Sequence, residues 1–239
     1  MLPTHILFDF FGTLVEYNTS PIADGYQRTF GHLDRAGYNN GYDSFVKLWT
    51  QIYAELETQA KRSYREFSMT DLATTVLSEA LGSNSAKLRE QVITSYLLDW
   101  NESVTYISGL KPFLAQLSQA YTLGVITNTH DTKLVPMHLR AMQVDGYFEA
   151  VVTSVELGIR KPHRDIFDTT LARLNVEAER CIYVGDNYDA DYCGATAAGL
   201  RAYLIHPEGT RNVPESARLD SVLSLAEHLS ANKPLNHSG

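Results

Sequence analysis

The sequence predicts an α/β protein, with a mostly parallel sheet, helices on both of its faces and a smaller all-helical domain. Three observations predict it. From about Ile107 onwards, short apolar runs alternate with amphipathic helical stretches, the pattern of repeated βα units and so of parallel strands. One similar apolar run, His5 to Asp9, stands far upstream. Between them, from about Pro21 to Asn101, lies a block of helical periodicity with few β-rich runs.

In chain order, His5 to Asp9 reads as a buried strand that Gly12-Thr13 breaks. Tyr26, Phe30 and Leu33 then recur at helical spacing, and Gly37 ends that segment. Asp43 or Ser44 opens the next helix, where Phe45, Trp49, Ile52, Tyr53 and Leu56 form one apolar stripe. Ser68 with Asp71 reads as a capping box ahead of Leu72, Val76, Leu77 and Leu81, and Gly82 stops this helix. Lys87 to Trp100 is a fourth helix, with Leu88, Val92, Tyr96 and Leu97 facing inward.

In the second part, Leu110 to Ala120 reads as a helix, Tyr121 to Thr127 as a strand, Leu134 to Met142 as a helix and Phe148 to Thr153 as a strand. Pro162 is placed to start a helix, whose buried face holds Ile166, Phe167, Leu171 and Leu174. Cys181 to Gly185 is a strand, followed by a helix through Ala198 that Gly199 ends. Arg201 to Ile205 is another strand, and Ser221 to Leu229 a last helix before a frayed tail, ANKPLNHSG. The expected division is a core of residues 1–16 and 105–239 and a helical insert of 17–104.

Composition narrows the function. Hydrophobic residues at 44% and charged residues at 20% describe an ordinary globular protein. A formal net charge of −8 argues against a general nucleic-acid or membrane-surface binder. It allows a small anionic substrate, because one lysine in a cleft can dominate the local field. Cys181 and Cys193 form neither a disulfide framework nor a metal-ligand pair, and read as thiols of a reducing, cytoplasmic compartment. There is no signal-peptide pattern, and no apolar stretch approaches the ~18 residues of a membrane span. Oligomeric state cannot be read from the chain.

Four polar positions follow four of the predicted parallel strands: Asp9, Thr127-Asn128, Lys161 and Asp186. Parallel strand ends converge on one edge, so residues far apart in sequence can meet there. A carboxylate can attack as a nucleophile. A hydroxyl and an amide can hold the oxygens of an anion, and a lysine can neutralise charge. A second carboxylate can complete a site for a hard cation such as Mg²⁺.

This ordered set resembles the haloacid dehalogenase-like (HAD) superfamily of hydrolases. DFFGTL is similar to the first family motif, VITN (Val125 to Asn128) to the second, GIRKP (Gly158 to Pro162) to the third and VGDNYDAD (Val184 to Asp191) to the fourth. The resemblance implies a Rossmann-like core with a helical cap inserted after the first motif. It also implies Asp9 as nucleophile, Thr127, Asn128 and Lys161 as anion holders, and Thr13 and Asp191 in support. Mg²⁺ would sit on Asp9, the Phe11 backbone carbonyl and Asp186, with a small, phosphorylated or otherwise anionic substrate.

One position departs from the pattern. Family phosphatases typically carry a second aspartate two residues after the nucleophile, which protonates the leaving oxygen. Here Phe11 stands there. General acid–base help is worth roughly 10²–10⁴ in rate. An aromatic residue at this position is similar to the 2-haloacid dehalogenase branch, whose halide leaves without a proton. LWTQIY (Leu48 to Tyr53) echoes that branch's cap segment, with Thr50 where an arginine is usual. Gly185-Asp186 is phosphatase-like, although Asn187 could match the dehalogenase asparagine. A third reading is a weakened HAD domain that binds a ligand or partner. His130, Asp131 and Tyr17 are candidates to replace the acid. Arg28, Lys61, Arg62 and Arg65 are candidate substrate contacts or a solvated face, Asp189 a supporting acid, and the insert's tyrosines packing residues.

Overall fold

The alternation of Ile6 and Phe8 with Leu7 decides where the first strand goes. Successive strand side chains point to opposite faces, so a strand apolar at every position must be covered on both. In the computed structural model, which describes residues 2–17, 26–82, 85–205 and 212–231, β1 (His5–Phe8) is indeed central. Ile6 and Phe8 belong to one apolar cluster and Leu7 to another on the far side of the sheet.

β1 leads to β2 (Val15–Tyr17) and then to four helices: α1 (Gln27–Arg35), α2 (Tyr42–Ser63), α3 (Met69–Leu81) and α4 (Ala86–Asn101). The chain returns through β3 (Val104–Tyr106) and α5 (Leu110–Leu117), then β4 (Thr122–Thr127) and α6 (Leu134–Ala141). β5 (Phe148–Thr153), α7 (Ser154–Leu157), α8 (Arg164–Leu174) and β6 (Cys181–Gly185) follow. α9 (Gly194–Ala197), β7 (Arg201–Ile205), β8 (Arg218–Leu219) and α10 (Leu225–Ala231) complete the described chain. Six strands form one parallel sheet in the order β5-β4-β1-β6-β7-β8, flanked by helices, a Rossmann-like α/β fold. α5, α6 and α10 bury Phe113, Leu114, Val135, Leu139 and Leu225 on the Ile6 face. α8 and α9 bury Ile166, Phe167, Leu171 and Ala195 on the Leu7 face.

The four helices α1–α4 enclose a separate apolar cluster centred on Phe45, Trp49, Ile52, Leu72, Val76 and Val92. The Ser68–Asp71 capping box is formed in both directions, and Gly82 closes α3 in the left-handed region with φ +63°.

Several local expectations need correction. β2 and β3 were not expected as strands; they pair antiparallel, with Val15 opposite Tyr106 and Tyr17 opposite Val104. Three residues are too few to show a period. β8 is shorter still and was also missed. α2 starts at Tyr42, ahead of the polar residues expected to open it. Pro162 does not open α8, which begins two residues later with the His163 ring accepting from the Asp165 N–H. The helix after β6 is split into a π turn over Tyr188–Cys193 and the short α9. The last helix is a 3₁₀ turn over Val222–Ser224 that runs into α10. The tail beyond Ala231 and the start of the helical block at Pro21 lie outside the described residues.

Candidate active site

The carboxyl ends of β1, β4 and β6 are neighbours, because β1 lies between the other two. Asp9 follows β1, Thr127 ends β4 and Asp186 follows β6. The Asp9 N–H donates to the Val184 carbonyl at 2.8 Å, which carries the β1–β6 ladder one residue past the strand and fixes the aspartate there.

Lys161 arrives from the loop between α7 and α8, and the protein all but seals it. Its Nζ lies 2.7 Å from Asp9 Oδ1, 2.6 Å from Asp191 Oδ1, 2.8 Å from the Tyr183 hydroxyl and 3.1 Å from the Ile126 carbonyl. An ammonium has three hydrogens for these four acceptors. The Tyr183 hydroxyl can itself donate to the Ile126 carbonyl at 3.0 Å or to Asp191 Oδ1 at 3.0 Å, which spreads the demand. Burial alone would lower the Lys161 pKa, but Asp191 and Asp9 outweigh it and hold it above its ordinary value.

Asp9, Asp186 and Asp191 can each place an oxygen within 4.8 Å of the others. Burial pushes the Asp9 carboxyl up to about 6, opposed by Lys161 and assisted by Asp191. Asp186 is exposed at the sheet edge, yet the protein packed around its carboxyl, then Asp9 and Asp191, lift it to about 7. Three carboxylates against one ammonium leave two uncompensated negative charges when all are ionised. A divalent cation matches that deficit, and the donor set is all oxygen, as Mg²⁺ requires. Two glycines keep the space open. A Cβ on Gly12, where φ is +82°, would overlap the Asp186 carboxylate, and one on Gly185 would overlap Asp191. Asp191 is fully engaged, because its Oδ2 also accepts from the Asn187 N–H at 2.9 Å.

The remaining candidates are placed as follows. Thr127 is buried at the end of β4, opposite Thr153. The Asn128 side chain is committed to the lysine loop: its Oδ1 accepts from the Lys161 N–H at 2.9 Å and its Nδ2 donates to the Lys161 carbonyl at 3.1 Å. Thr13 is buried, and its hydroxyl has no hydrogen-bond partner among the described residues. Phe11 is held by a ring of aromatic groups, with centroids 4.9 Å from Phe10, 5.0 Å from Trp100, 5.8 Å from Tyr17 and 6.3 Å from His138.

His130 does not stand free in a loop. It stacks on Phe67 at 4.0 Å and bonds the Tyr53 hydroxyl and the Phe67 carbonyl, each at 3.2 Å. Asp131, just ahead of α6, accepts from the Lys133 and Leu134 N–H groups, an Asx turn that leads into the helix. Arg28 pairs with Asp99 and Glu102, and Lys61 with Glu57, all within the helical unit. Arg62, Arg65, Thr50 and Asp189 are exposed, and Asn187 caps the π turn by accepting from the Ala190 N–H. Tyr26 and Tyr38 are buried in the helical unit, whereas Tyr64 is exposed.

Sequence reasoning missed two things here. Tyr183 is one; its only signal is a hydroxyl-bearing residue inside the otherwise apolar run CIYVG. The other is the role of Arg160 beside Lys161. Its guanidinium makes two bonds to Glu57, at 2.7 and 3.0 Å, and lies 3.5 Å from Glu66 Oε1. The Arg160 N–H donates to the Tyr64 carbonyl and the Glu66 N–H to the Gly158 carbonyl, so the lysine loop is laced to the segment between α2 and α3.

Strand-end carboxylates gather around a buried lysine on a parallel sheet, and comparison with known proteins gives the family. Residues 6–205 match the profile of the haloacid dehalogenase-like hydrolases, and the chain belongs to that family. It is 26% identical over 231 residues to a ribulose-1,5-bisphosphate 5-phosphatase of Halopiger xanaduensis, covering 95% of each chain. It is 39% identical over 93 residues to a glyceraldehyde 3-phosphate phosphatase of Methanothermobacter thermautotrophicus, covering 39% of this chain and 41% of that one. The match to the first curated relatives thus spans about two fifths of their length. In fold it is similar to a 2-haloacid dehalogenase of Pseudomonas syringae pv. Tomato, with a TM-score of 0.72, 24% identity, and coverage of 96% of this chain and 99% of that one. No described helix is long and apolar enough to cross a membrane.

Proposed function

We propose that this protein is a Mg²⁺-dependent phosphatase acting on a small phosphorylated substrate, with Asp9 as the nucleophile. One observation carries the reading: the two unbalanced negative charges of the Asp9–Asp186–Asp191 cluster, arranged round a single buried lysine. The relatives named as phosphatases support it. Asp9 and Asp186, with the Phe11 carbonyl, would hold the cation, which would shield the charge of an incoming phosphate.

The chain's own groups do the rest. Lys161 keeps Asp9 in place and balances part of its charge. Thr127 and the backbone N–H of Asn128 hold the phosphate oxygens, and the Asn128 side chain fixes the lysine loop rather than the substrate. Asp191 anchors Lys161. Residues 17–104 act as a cap that covers the site, and the protein works in the cytoplasm. Hydrolysis of 4-nitrophenyl phosphate should need Mg²⁺ and drop below detection in Asp9→Asn; phosphate release that survives this change sinks the assignment.

Phe11 favours a second reading, dehalogenation, which needs no acid for its leaving group. Chloride release from 2-chloropropionate that depends on Asp9, with no release of phosphate from esters, would replace the first reading with this one.

A further inference from the structure

Among the described residues, none is free and placed to donate a proton to the leaving oxygen, and this limits what the site can cleave. Phe11 occupies the place of the acid and is boxed in by Phe10, Tyr17, Trp100 and His138, so no small shift exchanges it for another group. His130 is spent on Tyr53 and Phe67, and Asp131 on the start of α6. Lys161 has its hydrogens directed at Asp9, Asp191, Tyr183 and Ile126. His138 is buried, with one ring nitrogen 3.0 Å from the Tyr106 hydroxyl and the other 3.0 Å from Asn101 Oδ1. Tyr17 is half-buried, its ring packed against Phe11 and Trp100.

We infer that the natural substrate carries its phosphate on a weakly basic oxygen, that of a carboxylic acid, an enol or a phenol, and not on a simple alcohol. The inference rests on the phosphatase reading and narrows it. An Asp9 oxygen bonds to phosphorus as the bond to the leaving oxygen breaks, and the electron pair departs with that oxygen. A carboxylate, enolate or phenolate is stable as it leaves and takes no proton from the protein. An alkoxide is not, and it forfeits the roughly 10²–10⁴ that a positioned acid contributes. Water then attacks phosphorus, the bond to Asp9 breaks, inorganic phosphate is released, and the surplus proton passes to solvent. The relatives named for glyceraldehyde 3-phosphate and ribulose bisphosphate have substrates whose phosphate sits on an alcohol, so this chain would differ from them in chemistry.

The test uses the wild-type protein with Mg²⁺ and a series of substituted phenyl phosphates, together with acetyl phosphate and glycerol 3-phosphate. kcat/KM should fall steadily as the leaving group becomes more basic. Glycerol 3-phosphate should lie at least about a hundredfold below 4-nitrophenyl phosphate. Alkyl and aryl esters cleaved within about tenfold of each other would overturn the inference while leaving the phosphatase reading intact. Inactivity towards every ester would overturn both. Tyr17→Phe should leave the dependence on leaving group unchanged; a steeper dependence in that variant would identify Tyr17 as a proton donor and also overturn the inference.

Discussion

At the scale of single residues, Asp9 and Asp186 carry a cost that a cation would remove. Their folded carboxyls are raised to about 6 and about 7, from burial first. A carboxyl whose folded pKa lies above its unfolded value contributes stability that is complete below the unfolded value, near 3.8. That contribution is lost as pH rises through the folded values. The metal-free protein should therefore lose stability as pH rises from about 4 to about 7, and Mg²⁺ should raise the melting temperature far more at pH 7.5 than at pH 5. A shift of equal size at both values would show that these two carboxylates do not bind the ion. Asp9, Thr127 and Asp186 were legible because each stands at the end of an apolar run or just past it, whereas Lys161 follows its strand only after several residues. Tyr183 was not, since a strand tyrosine reads as packing until its neighbours are known.

At the scale of elements, the lysine loop shows how much pattern alone conceals. Arg160, Glu57, Glu66, His130 and Ser154 come from five separated places in the chain, with nothing periodic to join them. Glu66 is fully enclosed and accepts a 2.6 Å bond from the Ser154 hydroxyl. Burial alone would raise its carboxyl, but hydrogen bonds and charge from His130, Arg160 and Ser154 hold it below its ordinary value. The sign is then opposite to that of Asp9. The stability it supplies is complete above its usual 4.5 and is lost as pH falls through the lower folded value. Urea unfolding between pH 3 and 6 should show this acid-side loss in the wild type, and Glu66→Gln should flatten it. An unchanged slope would mean that Glu66 is not ionised in the fold. Arg160 has most to lose from such changes, because a buried charge left without partners costs about 3–5 kcal/mol.

At the scale of the whole molecule, the order of layers follows from hydrophobic periodicity, which is why the parallel sheet, its two helical faces and the four-helix block were all readable in advance. The three-residue strands β2 and β3 were not, because a pairing so short is dictated by the partner and not by the segment itself. Yet these strands decide where the helical block joins the rest of the chain. Tyr17 stands directly opposite Val104, so the two ends of the intervening segment lie side by side. Everything between those two residues is topologically equivalent to the loop of a hairpin. Replacing residues 18–103 with Asn-Gly, the dipeptide suited to a two-residue reverse turn, should leave a smaller α/β protein with one cooperative thermal transition. A chain that melts without cooperativity would show that the helices are needed to fold it. If the transition survives, the helical block is an interchangeable part: a lineage can swap, enlarge or discard it without disturbing the sheet.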